Sequence, residues 1–418
     1  MAQPNQRAFF YPEMQSLASA IACLFVLYLF LPRLPRGLPR LFCVCPCLPI
    51  LAKVPFSTRS HAFRAILSFS FLWVCPTKLL LRCWDISSDY PGDGFLYFLS
   101  TSVLPLRVKG ARRTGPCDHT SGLKATTLQG ALSLFLPQLL CFIATLNIFR
   151  YPHISVQLHH ALYCLLLYFG LEGAVGLISG FTSLLLGLEL HPFFDKPFLA
   201  SSLSEFWGRR WNCLSSYMLR ETVYIPILHF LSSKTLGHGA SLRLSSVEAA
   251  TKSPQTHTSQ SVDVGVCDKD GADHARGGMQ EKDDTNIVMH GNEFQCAGRI
   301  PLLARAVAML ATFAASGLIH ELIFYCITQT SPTWEVTAFF ALHGVATVLE
   351  VSARRTCLSH LILPQPIAIM CTLGFIYVSA AWLFMPPVMQ SGVDLEMLAE
   401  IRSTLKVVMD LLGRLYRA

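Results

Sequence analysis

A chain of 418 residues that is 52% hydrophobic and 14% charged, with mean hydropathy +0.45, is too poor in charge for a soluble protein, in which about a quarter of residues would be charged. Its net charge of +7 comes from Lys and Arg in short groups beside apolar segments, such as Arg33, Arg36 and Arg40 or Arg112 and Arg113. That pattern fits an anionic membrane surface and argues against a nucleic-acid partner, so one polytopic membrane domain explains the length better than two or three soluble ones.

The first apolar run, residues 16–31, is followed by prolines and arginines rather than a small-residue cleavage site, so a retained span near 15–32 is predicted. Residues 41–56 are apolar but hold Pro46, Pro49 and Pro55, which predicts a re-entrant or broken span. Spans of roughly 20 apolar residues are predicted near 62–82 and 130–149. The stretch 158–190 is too long for one untilted span. Its glycines (Gly170, Gly173, Gly176, Gly180) mark either close helix packing or a break between two helices. Residues 213–231, with Arg220, Glu221 and Pro226, read as a tilted or half-buried helix.

The interval 235–298 is dominated by Ser, Thr, Gly, Asp and Lys and has almost no aromatic residue, which predicts a disordered loop. Three further spans are predicted near 302–328, 334–351 and 365–388. Residues 393–416 alternate acidic, basic and aliphatic positions at helical spacing and predict an amphipathic helix at the surface or interface. The expected fold is all-α, a polytopic membrane helical bundle of about eight spans. It divides into an N-terminal membrane part (1–234), the polar loop (235–298), a C-terminal membrane part (299–392) and an amphipathic tail (393–418). Basic residues flank both ends of the 62–82 segment (Arg59 and Arg64; Arg82 and Arg107), so charge leaves the orientation open. Most of the fifteen cysteines lie in apolar stretches. The Cys43, Cys45, Cys47 group lacks a second ligand pair, so buried thiols and no metal are expected.

Chemistry concentrates in two places. Inside the apolar run from Ala314 to Tyr325 stand His320 and Glu321, and ionisable groups at membrane depth are costly enough to carry a functional expectation. Helical spacing puts Ser316, His320 and Phe324 on one face, with Gly317, Glu321 and Tyr325 adjacent. His320 can accept a proton from a hydroxyl held within hydrogen-bond reach, or bond a neighbouring helix for packing. Glu321 must be paired or protonated, or else orients a neighbouring helix. The second place is Phe206-Trp207-Gly208-Arg209-Arg210-Trp211-Asn212. Trp207 and Trp211, four apart, are expected on one helix face at the headgroup level. Arg209 and Arg210 either hold phosphates or snorkel to the interface. Asn212 is either a helix-end hydrogen bonder or a substrate-positioning group. His343, His160 and His229 read as packing histidines. No nucleophile elbow, phosphate-cradling loop or dinucleotide fingerprint is present.

The run from His191-Pro192-Phe193-Phe194-Asp195 through Trp207-Gly208-Arg209-Arg210-Trp211-Asn212 resembles the signature of plant wax synthases, long-chain-alcohol O-fatty-acyltransferases of the membrane-bound O-acyltransferase superfamily. Ser316 to Tyr325, Ser331-Pro332-Thr333-Trp334-Glu335-Val336, Leu342-His343-Gly344, Leu31 to Arg40 and Leu104 to Lys109 are similar to the same family. The resemblance implies catalysis by His320 as general base with Asn212 accompanying it, and Trp207, Arg209, Arg210, Trp211 and Glu321 as substrate-binding candidates. It implies acyl-CoA as co-substrate, a long-chain alcohol or other lipid hydroxyl as acceptor, membrane lipids as surroundings, no metal or other cofactor, and the endoplasmic reticulum membrane as location. A sterol or diacylglycerol acceptor is the alternative within that class. A non-catalytic lipid-binding or transport protein, or a degenerate scaffold, is the alternative outside it. The polar interval is longer than the connection usual in that family.

Overall fold

A computed structural model describes residues 6–86, 94–109, 122–149, 151, 153–235, 302–354, 363–415 and 417. It divides into two units, Met1–Ile227 with Ala306–Ala418, and Leu228–Arg305. Arg112, Arg113 and the expected loop from 236 to 298 lie outside the described residues, while Thr235 closes the helix Ile225–Thr235. Among the described residues eight helices are long and apolar enough to cross a membrane: α1 (Pro12–Arg33), α2 (Leu38–Ser57), α3 (His61–Cys83), α4 (Leu128–Ile148), α5 (Val156–Leu186), α6 (Leu302–Thr328), α7 (Glu335–Arg354) and α8 (Gln365–Ser391). The protein is a multi-pass membrane helical bundle, followed by an amphipathic helix α9 (Val393–Leu415).

Two open points settle on packing grounds. The 158–190 stretch holds one unbroken helix of 31 residues, α5, which ends at Leu186. A Cβ on Gly176 would lie 2.4 Å from the carbonyl oxygen of Leu134, and one on Gly180 2.7 Å from that of Ala131. Those glycines let α5 run directly against the backbone of α4, so they mark close packing rather than a break. The proline-bearing α2 crosses at full length, with one tightened turn at Cys45–Cys47. Pro46 and Pro49 each fall in the first two positions of a helical segment, where a missing N–H costs least.

The segment after Leu186 leaves the membrane helices and carries the second motif. Leu190 is pinned in extended form between Val108 and Leu123, and the N–H of His191 donates to the carbonyl of Arg107 at 2.8 Å. The Leu104 to Lys109 stretch is itself held from inside: buried Lys78 of α3 donates to the carbonyls of Thr101, Leu104 and Leu106. Residues 213–235 form a helix interrupted by a wide turn at Arg220–Tyr224, half-buried, with Arg220 paired to Glu221 at 2.6 Å.

Candidate functional site

Helix α6 carries His320 eight residues before its last residue, Thr328, about 12 Å in from that end at 1.5 Å per residue. Nδ1 of His320 stands 2.8 Å from the carbonyl oxygen of Ser316. A carbonyl only accepts, so Nδ1 carries the hydrogen and Nε2 is left with its lone pair. Nε2 makes no hydrogen bond among the described residues. The ring lies against Phe340 of α7, with centroids 4.3 Å apart, and near Phe384 of α8 at 6.1 Å. Phe384 closes a wide turn at Ala380–Phe384, and such turns widen a helix locally and re-aim its side chains.

Glu321 points the other way. Its carboxylate, buried, accepts the N–H of Thr337 at 3.0 Å in the first turn of α7, where unpaired N–H groups and the helix dipole favour negative charge. Beside it the two helices nearly touch. A Cβ on Gly317 would lie 3.0 Å from the Cα of Thr337, and one on Gly344 2.9 Å from the Cβ of Phe313. One glycine on each helix thus fixes α6 against α7. Glu321 thus bonds one span to the next.

The Trp207–Asn212 motif forms a wide turn at Phe206–Arg210, after which Trp211 is extended and Asn212 takes a left-handed backbone, φ +46°. The expectation that Trp207 and Trp211 share a helix face is not met, because this turn ends the helical register between them. Trp207 enters a cluster with Phe313, Phe339 and Phe340, its ring 5.7 Å from that of Phe340. Trp211 stacks on Phe206 at 5.4 Å and sits 4.9 Å from Phe194. Phe340 therefore touches both Trp207 of one motif and His320 of the other.

Asn212 caps the helix Cys213–Leu219: its Oδ1 accepts the N–H of Ser215 at 3.0 Å. The amide Nδ2 has no partner among the described residues. No hydrogen bond joins Asn212 to His320; the aromatic cluster, rather than a direct contact, connects the two motifs. Arg210 is engaged within the fold. Its guanidinium bonds Glu205 at 2.7 Å and the carbonyls of Asp195 and Lys196, closing the 191–197 loop onto the turn. Burial pushes the Glu205 carboxyl up, but the N–H and hydroxyl of Ser201 and the Arg210 guanidinium together hold it below the usual carboxylate range. Arg209 carries its side chain on the exposed surface.

Two partners of the site, Glu350 and Ser379, escape sequence reasoning. Glu350 of α7 accepts the N–H groups of Leu203 and Ser204, at 2.8 and 3.3 Å, and so ties the motif segment to α7. His343, fully buried, accepts the indole N–H of Trp207 at Nδ1, 3.0 Å away, and its Nε2 meets the hydroxyl of Ser379 at 2.9 Å. The packing expectation for His343 matches this geometry; the identity of its partners, on two other elements, had no sequence signal. Among the described residues no group of three His, Cys, Asp or Glu is placed to hold a metal ion.

Residues 190–247, which include the Trp207–Asn212 turn, match the Membrane bound O-acyl transferase family. The chain is 28% identical to the long-chain-alcohol O-fatty-acyltransferase of Simmondsia chinensis over 387 residues, covering 90% of each chain. It is 27% identical to probable long-chain-alcohol O-fatty-acyltransferase 9 of Arabidopsis thaliana, covering 90% of this chain and 89% of that one. It is 26% identical to acyl-CoA–sterol O-acyltransferase 1 of Arabidopsis thaliana, covering 84% and 83%. The chain is a multi-pass membrane O-acyltransferase enzyme, similar along about 90% of its length to long-chain-alcohol O-fatty-acyltransferases. As an acyl-CoA-dependent O-acyltransferase it must bring a water-soluble thioester to a lipid hydroxyl. The Nε2 lone pair of His320 lies beside Phe340 and Phe384, about 12 Å in from the end of α6 by helical rise.

Proposed function

We propose that the enzyme transfers a fatty acyl group from acyl-CoA to a long-chain alcohol, forming a wax ester, with His320 as general base. The observation that carries this reading is the His320 ring: Nδ1 bonded to its own helix, Nε2 open, and an aromatic wall around it. Nε2 takes the alcohol proton as the alcohol oxygen attacks the thioester carbonyl. The tetrahedral intermediate then expels coenzyme A as thiolate, and the imidazolium returns the proton to that sulfur. Asn212, with Oδ1 committed to Ser215, has its Nδ2–H groups left to position a substrate or to polarise the carbonyl. The thioester is already activated, so this chemistry calls for no metal or further cofactor.

Arg209, whose side chain is exposed, is a candidate for the coenzyme A phosphates. Trp207 and Trp211 supply apolar wall on either side of the turn. Lipid-soluble substrates and eight spans fit a site in the endoplasmic reticulum membrane. A sterol acceptor is the second reading, favoured by the similarity to a sterol O-acyltransferase along 84% of the chain. Both are tested by expressing the chain in a host lacking neutral-lipid synthesis, supplying labelled acyl-CoA with fatty alcohol, sterol or diacylglycerol. Wax ester from the wild type and none from His320→Ala at equal abundance is the expected result. Steryl ester in place of wax ester would move the acceptor, and label in ester from the His320→Ala variant would remove the base.

A further inference from the structure

His343 is spent on structure rather than on proton transfer, and the way it is spent has a direction. The indole N–H of Trp207 can only donate, so Nδ1 of His343 accepts it and carries no hydrogen. Nε2 therefore holds the ring hydrogen and donates to the hydroxyl of Ser379. Ser379 passes its own hydrogen back along α8 to the carbonyl of Phe375 at 2.7 Å. Every member has one possible role, so the chain Trp207 to His343 to Ser379 to Phe375 runs one way and fixes one imidazole tautomer. It joins three elements: the motif turn, α7, and the part of α8 just before the wide turn that aims Phe384 at His320.

We propose that His343 is a positioning residue of the transfer reaction. Through this chain it locks the Trp207 indole against Phe340, and so holds the wall on which the His320 ring rests. The walls on either side of Phe340 are 5.7 Å (Trp207) and 4.3 Å (His320) away by ring centroid. A Trp207 ring released from its acceptor would leave an indole N–H unsatisfied in an apolar chamber, and it would turn to find another partner. Phe340 would then have room to move, and the His320 lone pair would lose its aim at the hydroxyl. The inference rests on His320 being the base, and it adds that the reaction depends on a second histidine that never touches substrate.

The test is a double-mutant cycle on the full chain in microsomes, combining Trp207→Phe with His343→Phe, and His343→Asn as the conservative rescue. His343→Phe keeps the ring's bulk and removes both hydrogen bonds. It should lower kcat on the order of 10–100-fold, as small misplacements do, with little change in the KM for acyl-CoA. Trp207→Phe should lose a similar factor and the double variant no more than either, because the two losses are one interaction. His343→Asn offers an amide oxygen to the indole and should recover most of the kcat. In the wild-type protein labelled with nitrogen-15 histidine, solid-state NMR should show His343 with its hydrogen on Nε2 and His320 with its hydrogen on Nδ1. Additive losses in the cycle, or His343 with its hydrogen on Nδ1, would overturn the proposal. Turnover retained by His320→Ala would instead defeat the base assignment, and the tautomer measurement would still stand, so the two failures are distinguishable.

Discussion

His320 and His343 lie on adjacent spans of one bundle and share a phenylalanine cluster, yet they have opposite hydrogen-bond arrangements. His320 uses one nitrogen on the carbonyl one turn back in its own helix, and the other makes no hydrogen bond among the described residues. His343 has both nitrogens engaged by partners 136 and 36 residues away in sequence. An imidazole serves as a base only when one nitrogen fixes the ring and the other stays open. Residue type and depth in the membrane are the same for both, so neither can separate them; the partner of the second nitrogen does.

The largest break in that comparison comes from removing the open nitrogen. His320→Ala should cost on the order of 10²–10⁴ in turnover while the protein accumulates and inserts as before, because the ring's one hydrogen bond is to its own helix. Ester formation in microsomes, normalised to protein by immunoblot, measures it. Turnover within a few-fold of wild type would place the base elsewhere.

Asn212 sharpens the contrast within the other motif, since it caps a helix and is also the candidate donor. Three variants separate the two roles. Asn212→Asp keeps the Oδ1 cap to Ser215 and loses the amide hydrogens; turnover should fall on the order of 10²-fold, near the cost of one lost oxyanion donor. Asn212→Gly keeps the left-handed backbone and should fall as far with only a few tenths of a kcal/mol in stability. Asn212→Ala loses the cap and strains the backbone, and should add a stability loss of about 1–3 kcal/mol. Equal activity in the Asp variant and the wild type would confine Asn212 to capping.

How much of this was legible in the sequence divides along the same line as the two histidines. The spans follow from apolar runs that lie next to one another in the chain, and the His320–Ser316 pair follows from helical spacing. Both are local. The roles of Glu350 and Ser379 depend on contacts far along the chain, 147 residues between Leu203 and Glu350 and 36 between His343 and Ser379. Local pattern carries no information about which distant backbone N–H a carboxylate will meet. The Trp207–Trp211 expectation went astray for a related reason: it assumed a regular helix through a segment whose wide turn is held by the Asp195 and Glu205 contacts of Arg210. The glycines of α5 were legible as a feature and ambiguous in meaning until the α4 carbonyls lay beside them.

A smaller effect separates the two arginines. Arg209→Gln should raise the KM for acyl-CoA a few-fold, about what one exposed phosphate contact is worth, and leave the amount of protein unchanged. Arg210→Gln should lower the yield of folded protein instead, because it frees the half-buried Glu205 carboxylate and two loop carbonyls. Initial-rate kinetics and detergent-extracted yield separate the outcomes. A KM effect from Arg210 with none from Arg209 would reverse the assignment.

The smallest effect expected lies farthest from the chamber, where α9 docks. Glu400 accepts the N–H groups of His61 and Ala62 and the hydroxyl of Ser60, capping the start of α3. Glu396 lies 2.8 Å from Nε2 of His61, and the other ring nitrogen of His61 reaches the carbonyl of Ile327 near the end of α6. Burial raises the Glu400 carboxyl, but the three donors and the nearby imidazole pull it below its ordinary range. A carboxyl held lower in the folded state stabilises the docked helix above its unfolded value, about 4.3, and that contribution is lost as pH falls through the lower folded value. The Glu400 contribution to docking is thus constant across neutral pH and is lost in acid. Limited proteolysis should release the 393–418 segment faster below about pH 4. Glu400→Gln should release it at every pH, with turnover changed no more than about twofold, because the one point where His61 reaches α6, the Ile327 carbonyl, lies roughly 10 Å from His320 by helical rise. Loss of activity matching that of the His320 variant would mean that the tail, and not the aromatic cluster alone, holds the base in place.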